Sequence, residues 1–320
     1  MKFATLGHIR FKDELVLIPK SWIKNNFIMS PEIFIGGSSG YISGLILSGQ
    51  EMMSLPRINV QNNILNAAIH LQDNYNVELI QLGGLTTSVT SGGQWLIDQP
   101  DYQGYVNHGD SYTAAVCCKI IEKILDICNK EASELRLAII GAYGIIGEAL
   151  SKILTPKFNE VLLIGRDKKK LNKLKMKIHG NYRTTTELQT NTADVIITAT
   201  SHPTALLNTT HLKKKAIVID VSQPPNLTEE ICSIRPDVIR VDGGYVDFIS
   251  EYPLQIPVLP KGKIFACIAE VIMQALENDY TNHIGSIDIQ YLEKTKKWAD
   301  KYGFKINSLS SFGKSIHNLG

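Results

Sequence analysis

The feature that most constrains this chain is a rhythm in its middle third. Five short apolar runs, Leu135–Ile140, Val161–Ile164, Val195–Ala199, Ala216–Ile219 and Val238–Val241, alternate with stretches of helical spacing. Continuous β-branched runs separated in this way are the pattern of parallel strands covered on both faces. Residues from about 134 to 245 are therefore expected to form a doubly wound α/β domain of Rossmann type. A helix capped by Asp110 or Ser111 leads into it and runs to about Asn129, with Val116, Ile120, Ile121, Ile124 and Cys128 on its apolar face.

The chain has 320 residues, 44% of them hydrophobic, which is too long for one core and suits two domains. Its N-terminal third mixes Gly and Ser with short apolar runs, has helical spacing over Val60–Gln72, and has a strand-like run, Val77–Leu82, stopped by Gly83-Gly84. Beyond the middle third, Pro253, Pro257 and Pro260 punctuate a loop, and helices are expected at about Lys263–Glu277 and Ile289–Tyr302. The expected division is a discontinuous α/β substrate domain beginning with 1–115, a dinucleotide-binding domain over 116–262, and a helical segment, 263–320, packing back on the first part. A catalytic cleft is expected between the two domains.

Composition removes several classes of function. Lys plus Arg is 33 against 31 for Asp plus Glu, so the net charge is +2 and gives no strong field for nucleic acid. No run of 18 apolar residues is present, so no membrane span is expected. The start, MKFATLGHIRFKDE, lacks the apolar stretch and cleavage site of a secretory signal, and a cytoplasmic location is expected. Five cysteines, an odd number without a C-x-x-C, fit neither a disulfide framework nor a structural zinc, and no metal site is expected.

The stretch LAIIGAYGIIGEAL sets Gly141, Gly144 and Gly147 directly after the first of the five runs and at the head of a helix. Glycines there let the backbone turn tightly and approach a pyrophosphate seated on the helix N-terminus. Tyr143, Ile145 and Ile146 complete the expected cofactor loop. The next run ends in Gly165-Arg166-Asp167, followed by Lys168-Lys169-Lys170. A planar cation at that strand end suits a 2′-phosphate better than a ribose hydroxyl, so NADPH is expected, with Asp167 pulling the other way. The third run ends in Ala199-Thr200-Ser201-His202-Pro203, placing Thr200 and Ser201 where a nicotinamide ring would lie.

Cys267 is the candidate nucleophile. At about 100° per residue, Glu270, Gln274 and Glu277 share one stripe of its helix, and Cys267 falls at the edge of that stripe. The helix N-terminus, Lys261 and Lys263 are expected to favour a thiolate, which beside a hydride donor suits acyl-enzyme chemistry. Glu270, one turn away, either orients a group or is merely solvated. Packing is the alternative for any free cysteine, and Cys117, Cys118, Cys128 and Cys232 are assigned to it first.

Several segments together resemble one family, the long-chain fatty acyl-[acyl-carrier-protein] reductases of cyanobacterial type. They are Leu6-Gly7-His8, Leu82–Thr87, Gly109–Ala114, the Gly141–Gly147 loop, Leu162–Arg166, Ile264–Glu270, Tyr280-Thr281-Asn282 and Lys301–Phe304. The resemblance implies reduction of an acyl thioester to an aldehyde with NADPH, through an acylated cysteine that matches Cys267. It also implies an acyl carrier protein or coenzyme A as the carrier, and an aldehyde-consuming partner enzyme. The chain departs from the family at Tyr112, where a histidine is usual, and at Val221-Ser222-Gln223, where Gly-Gly-Tyr is usual. Thr86, Thr87, Ser111 and Tyr112 are then candidates for hydrogen bonds to the oxyanion or thioester carbonyl, with turn and cap roles as the alternative. Two other readings remain: a two-domain NADP-dependent dehydrogenase of the shikimate or imine-reductase sort without covalent catalysis, and a dinucleotide-binding regulator without turnover.

Overall fold

The computed structural model describes residues 1–24, 27–202, 204–222, 224–248 and 256–316. Of the positions singled out above, Pro203, Gln223 and Pro253 lie outside them. The chain forms two compact units, one of residues 1–112 with 246–305, the other of 113–245 with the tail from 306.

The first unit is built on a sheet with order β2-β3-β5-β1-β6-β7 and β4 beside β5. Its strands are β1 (Lys2–His8), β2 (Ile23–Lys24), β3 (Phe27–Met29), β4 (Ile33–Ile35), β5 (Ser38–Leu45), β6 (Leu79–Leu82) and β7 (Tyr105–Asn107). β5, β1, β6 and β7 run parallel to one another, whereas β2, β3 and β4 pair antiparallel. Gly and Ser in β5 serve the packing: a Cβ on Gly40 would collide with Phe3 of the central strand. Helices α1 (Gly49–Ser54), α2 (Arg57–Tyr75), α3 (Leu85–Val89) and α4 (Gln94–Ile97) follow the strands. α2 buries Val60, Ile64, Ala68 and Leu71 against Leu6, Ile80 and Leu82. Each such Leu or Ile contributes roughly 1.5–3 kcal/mol by leaving water. α5 (Asp110–Cys128) starts three residues after β7.

The second unit carries β8 (Arg136–Ile140), α6 (Ile145–Leu154), β9 (Glu160–Ile164), α7 (Lys168–Lys175), β10 (Tyr182–Thr185), β11 (Val195–Thr198), β12 (Ile217–Asp220), α8 (Glu229–Ile234) and β13 (Ile239–Asp242). Its sheet runs β10-β9-β8-β11-β12-β13, with every pair parallel. In order of appearance that is 3-2-1-4-5-6, the arrangement of dinucleotide-binding sheets. Ala138, Ile140, Ile164, Ile196, Val218 and Leu227 form a core of this unit. Arg240 is buried between Asp220 (3.3 Å) and Asp242 (2.6 Å), and Asp242 also accepts the Ser310 hydroxyl and the N–H groups of Phe312 and Gly313, which fastens the tail.

β14 (Tyr245–Asp247) and β15 (Lys263–Phe265) then pair as a ribbon, followed by α9 (Ala266–Leu276) and α10 (Ile289–Tyr302). The helix expected from Lys263 therefore begins only at Ala266, because Lys263–Phe265 is extended and paired. α9 lies against β1, β5 and β6 and is buried on nearly every side. Among the described residues no helix is long and apolar enough to cross a membrane.

Candidate functional site

The parallel strands β1, β6 and β7 end in register, Leu6 opposite Leu82 and Gln81 opposite Asn107. His8 thus closes β1, and Gly83-Gly84 and His108-Gly109 follow β6 and β7, at the carboxyl ends of adjacent strands where α/β folds collect ligands. Gly109 has φ +71, and a Cβ built on it would collide with the Cβ, Cα and carbonyl oxygen of Cys267. Only glycine lets the loop lie this close to the cysteine.

Cys267 occupies the second position of α9, behind Phe265 as N-cap. The stripe it borders faces the interior, not solvent: Glu270 and Gln274 are both fully buried. Glu270 Oε2 accepts the Tyr112 N–H at 2.6 Å, so the α9 carboxylate caps the first turn of α5. Its other oxygen, Oε1, is buried without a hydrogen-bond partner. Gln274 Oε1 accepts from Asn107 Nδ2 (2.6 Å), and Gln274 Nε2 donates to the carbonyls of Asp279 (2.9 Å) and Thr281 (2.8 Å). Asn107 donates as well to Tyr291 Oη (3.3 Å) and accepts the Gly109 N–H (2.5 Å). The Tyr291 ring is stacked on His283 at 3.4 Å.

Burial governs the proton affinities here. It pushes the Cys267 thiol up to about 12, helped by Asp110 and Glu270 and opposed by the N–H groups of Ile268 and Cys267. The sequence expectation of a favoured thiolate is corrected: burial, with two carboxyls beside it, outweighs the helix N-terminus, and Lys263 is held by Asp247 at 2.8 Å. Burial raises Glu270 to about 7 against the N–H of Tyr112 and the Asn107 and Tyr291 side chains. Asp110 is raised well above the usual carboxylate range by burial and then by Glu270. His108 is driven down to about 3 by burial and by His283, and its Nδ1 accepts the Asp110 N–H (2.9 Å). At neutral pH the thiol is protonated and His108 is neutral, while burial and Glu270 disfavour the charged form of Asp110.

Ser111 and Tyr112 meet Glu270 through their backbone N–H groups. Tyr112 is buried, and its hydroxyl donates to Phe304 O at 3.2 Å. Thr86 donates to the carbonyls of Leu6 and Gly83 (3.0 Å each), and Thr87 to that of Leu82 (2.9 Å). Their hydroxyl protons serve the strand ends rather than the thiol. Sequence reasoning missed Asn107, His108 and Tyr291, and left Asp110 as a cap only. The run Asn-His-Gly-Asp directly ahead of a helix was the available signal.

In the second unit the glycine loop fits a dinucleotide. Gly141 has φ +85, and a Cβ there would collide with Ala199 O, as one on Gly147 would with Gly141 O. Gly144 is the N-cap of α6 and supplies no side-chain bond, so the first N–H groups of α6 have no side chain capping them. Ile145 and Ile146 open that helix. The Tyr143 ring packs on Gly165, and its hydroxyl accepts the Asp167 N–H at 3.1 Å. Asp167 Oδ1 caps α7 through Lys169 N (2.8 Å) and Lys170 N (3.1 Å), which occupies that carboxylate. Arg166 is exposed, and among the described residues its guanidinium has no partner. Thr200 is fixed by Ser222 and Asn226, with half-buried Ser201 beside it, and His202 Nδ1 is paired with Thr204 O.

A family model described as shikimate / quinate 5-dehydrogenase matches residues 121–243, less than half of the chain. A protein named aminotransferase PigE from Serratia sp. is 25% identical over 288 residues, which are 87% of this chain and 33% of that protein. The chain thus spans a third of that relative's length. A long-chain acyl-[acyl-carrier-protein] reductase from Synechococcus elongatus is 24% identical over 273 residues, 80% of this chain and 79% of that one. An L-tryptophan dehydrogenase structure from Nostoc punctiforme covers 94% of this chain and 80% of its own at 13% identity, with a TM-score of 0.45. The parallel sheet, the glycine loop and the sequence matches support an NAD(P)-dependent oxidoreductase of Rossmann type.

Proposed function

We propose that this protein is an NADPH-dependent reductase that converts an acyl thioester to an aldehyde through an acyl group carried on Cys267. The observation that carries the reading is the placement of Cys267: at the head of α9, against side-chain-free Gly109, beside Asp110 and Glu270. The relative named as an acyl-[acyl-carrier-protein] reductase, matched over about four-fifths of both chains, supports it and suggests a carrier-protein or coenzyme A thioester as substrate.

The Cys267 sulfur attacks the thioester carbonyl, and the carrier thiol leaves. Asp110, whose neutral form burial favours, donates a hydrogen bond to the oxyanion formed in that step. The N–H groups at the head of α9 stabilise negative charge on the sulfur each time its bond to carbon breaks. Gly141, Gly144 and Gly147 hold the pyrophosphate, and Arg166 the 2′-phosphate, of NADPH, which when bound supplies the hydride that brings the acyl group to the aldehyde level. An aldehyde reacts with protein amines, so an aldehyde-consuming reaction should follow. The relative named as an aminotransferase supports amination as one such class.

The test is intact mass after mixing with a panel of acyl thioesters, without NADPH. A gain of one acyl group, absent in Cys267→Ala and discharged by added NADPH, is expected. No adduct from short, long or aminoacyl thioesters would reject the reading. The dehydrogenase family model favours a second one, a dehydrogenase without covalent catalysis, although it covers only the nucleotide-binding region. In that case Cys267→Ala would keep its turnover.

A further inference from the structure

We propose that Glu270 takes the Cys267 thiol proton as the sulfur attacks the thioester, and passes it to the departing carrier sulfur. The inference rests on the thioester reading above and gives it the base that it lacks.

Glu270 follows Cys267 by three residues on α9, and side chains at that spacing are neighbours with Cβ atoms about 5–6 Å apart. One carboxylate oxygen is fixed by the Tyr112 N–H, while Oε1 is fully buried and unpaired. Capping α5 needs only the first oxygen. An orphaned interior acceptor costs about 1–3 kcal/mol, more for a charged group. A proton reaching Oε1 neutralises the buried charge, so the geometry holds an acceptor ready beside a donor.

The groups facing Glu270 leave few rivals. They are Cys267 and Gln274 on α9, Asp110 with the Ser111 and Tyr112 N–H groups on α5, Asn107 at the end of β7, and Tyr291 on α10; His108 and His283 stand behind them. None of these is a lysine or arginine, so no cation among them fixes the carboxylate in its charged form. His108 is a poor base, since its Nδ1 is occupied and burial keeps the ring neutral far below pH 7. Burial and the neighbouring Glu270 favour the neutral form of Asp110, which suits it to donating rather than accepting. Glu270, at about 7, is the carboxyl poised to do so.

The step balances without any further reactant. The Cys267 Sγ–acyl carbon bond forms and the Sγ proton moves to Glu270 Oε1. The acyl carbon–carrier sulfur bond then breaks, and the proton moves from Oε1 to that sulfur.

The experiment compares two reactions of Cys267 by intact mass: acylation by an acyl-CoA without NADPH, and alkylation by iodoacetamide, which needs a thiolate but no proton relay to a leaving group. Wild-type acylation is expected to rise about tenfold per pH unit and level off above pH about 7. Glu270→Gln is expected to acylate about 100-fold more slowly. Its alkylation should not slow, because a neighbouring negative charge has been removed. Unchanged acylation in Glu270→Gln, or acylation and alkylation falling together, overturns the role of Glu270 alone. A wild-type acylation profile still climbing past pH 9 overturns it even if the variant does not fold. No wild-type adduct at any pH overturns the thioester reading and the relay with it.

Discussion

Gly109 shows how much of the site hangs on one missing side chain. Alanine there meets two penalties at once, a φ of +71 that L residues avoid and a collision with Cys267. Together they amount to about 2–4 kcal/mol. Gly109→Ala is expected to lower the melting temperature measurably and to abolish acylation of Cys267. A variant with the wild-type melting curve and normal acylation would mean that the loop relaxes freely. Little of this was legible in the sequence, where Gly109 is one glycine among 24. Cys267 stands out in the sequence as a candidate, through its helix position and the segment Ile264–Glu270. The character of its surroundings does not, because periodicity tells a polar stripe from an apolar one without telling whether that stripe meets water or another polar surface. Here Glu270 and Gln274 meet Tyr112 and Asn107, so the solvated reading of Glu270 fails.

At the scale of elements, β8, β9, β11, β12 and β13 were readable because buried parallel strands are written as unbroken β-branched runs. β10, Tyr-Arg-Thr-Thr at the sheet edge, carries no such run and escaped notice. The sheet of the first unit was equally faint, since β5 reads Ser-Ser-Gly-Tyr-Ile-Ser-Gly-Leu and owes its place to close backbone packing. The junction of β9 and α7 was read as ambiguous, with Arg166 and Asp167 arguing for different cofactors. The structure separates their duties by giving Asp167 to the cap of α7. Arg166→Ala should therefore raise the Kd for NADPH about tenfold or more, one lost charge-assisted contact, while barely moving that for NADH. Equal losses for both, measured by fluorescence titration, would remove Arg166 from the 2′-phosphate.

For the whole molecule, buried ionisable groups of opposite tendency set the response to pH. Glu270 is raised from 4.5 to about 7, so its contribution to stability is complete below pH 4.5 and is lost as the pH climbs through 7. His108, lowered from 6.5 to about 3, acts in the other sense: its contribution is complete above 6.5 and is lost as the pH falls toward 3. Replacing Glu270 by Gln removes the first effect, with the part of the Asp110 shift that Glu270 causes, and leaves that of His108. The stability difference between Glu270→Gln and wild type should then shift in favour of the variant by about 3 kcal/mol between pH 4.5 and 7. Trp22, Trp95 and Trp298 all belong to the first unit, so tryptophan fluorescence in urea follows the relevant transition. A difference that stays constant with pH would mean that Glu270 ionises like an ordinary surface carboxylate.

The buried amide of Gln274 has a consequence for anyone recombining such proteins. Its oxygen answers to Asn107, and its nitrogen to two carbonyls beyond the end of its own helix. A chimera that imported α9 alone, nucleophile included, would arrive with half of a lock and leave Asn107 holding the other half. The heritable unit of this site is therefore three separated stretches, around 107–112, 266–276 and 279–291, which must travel together or not at all.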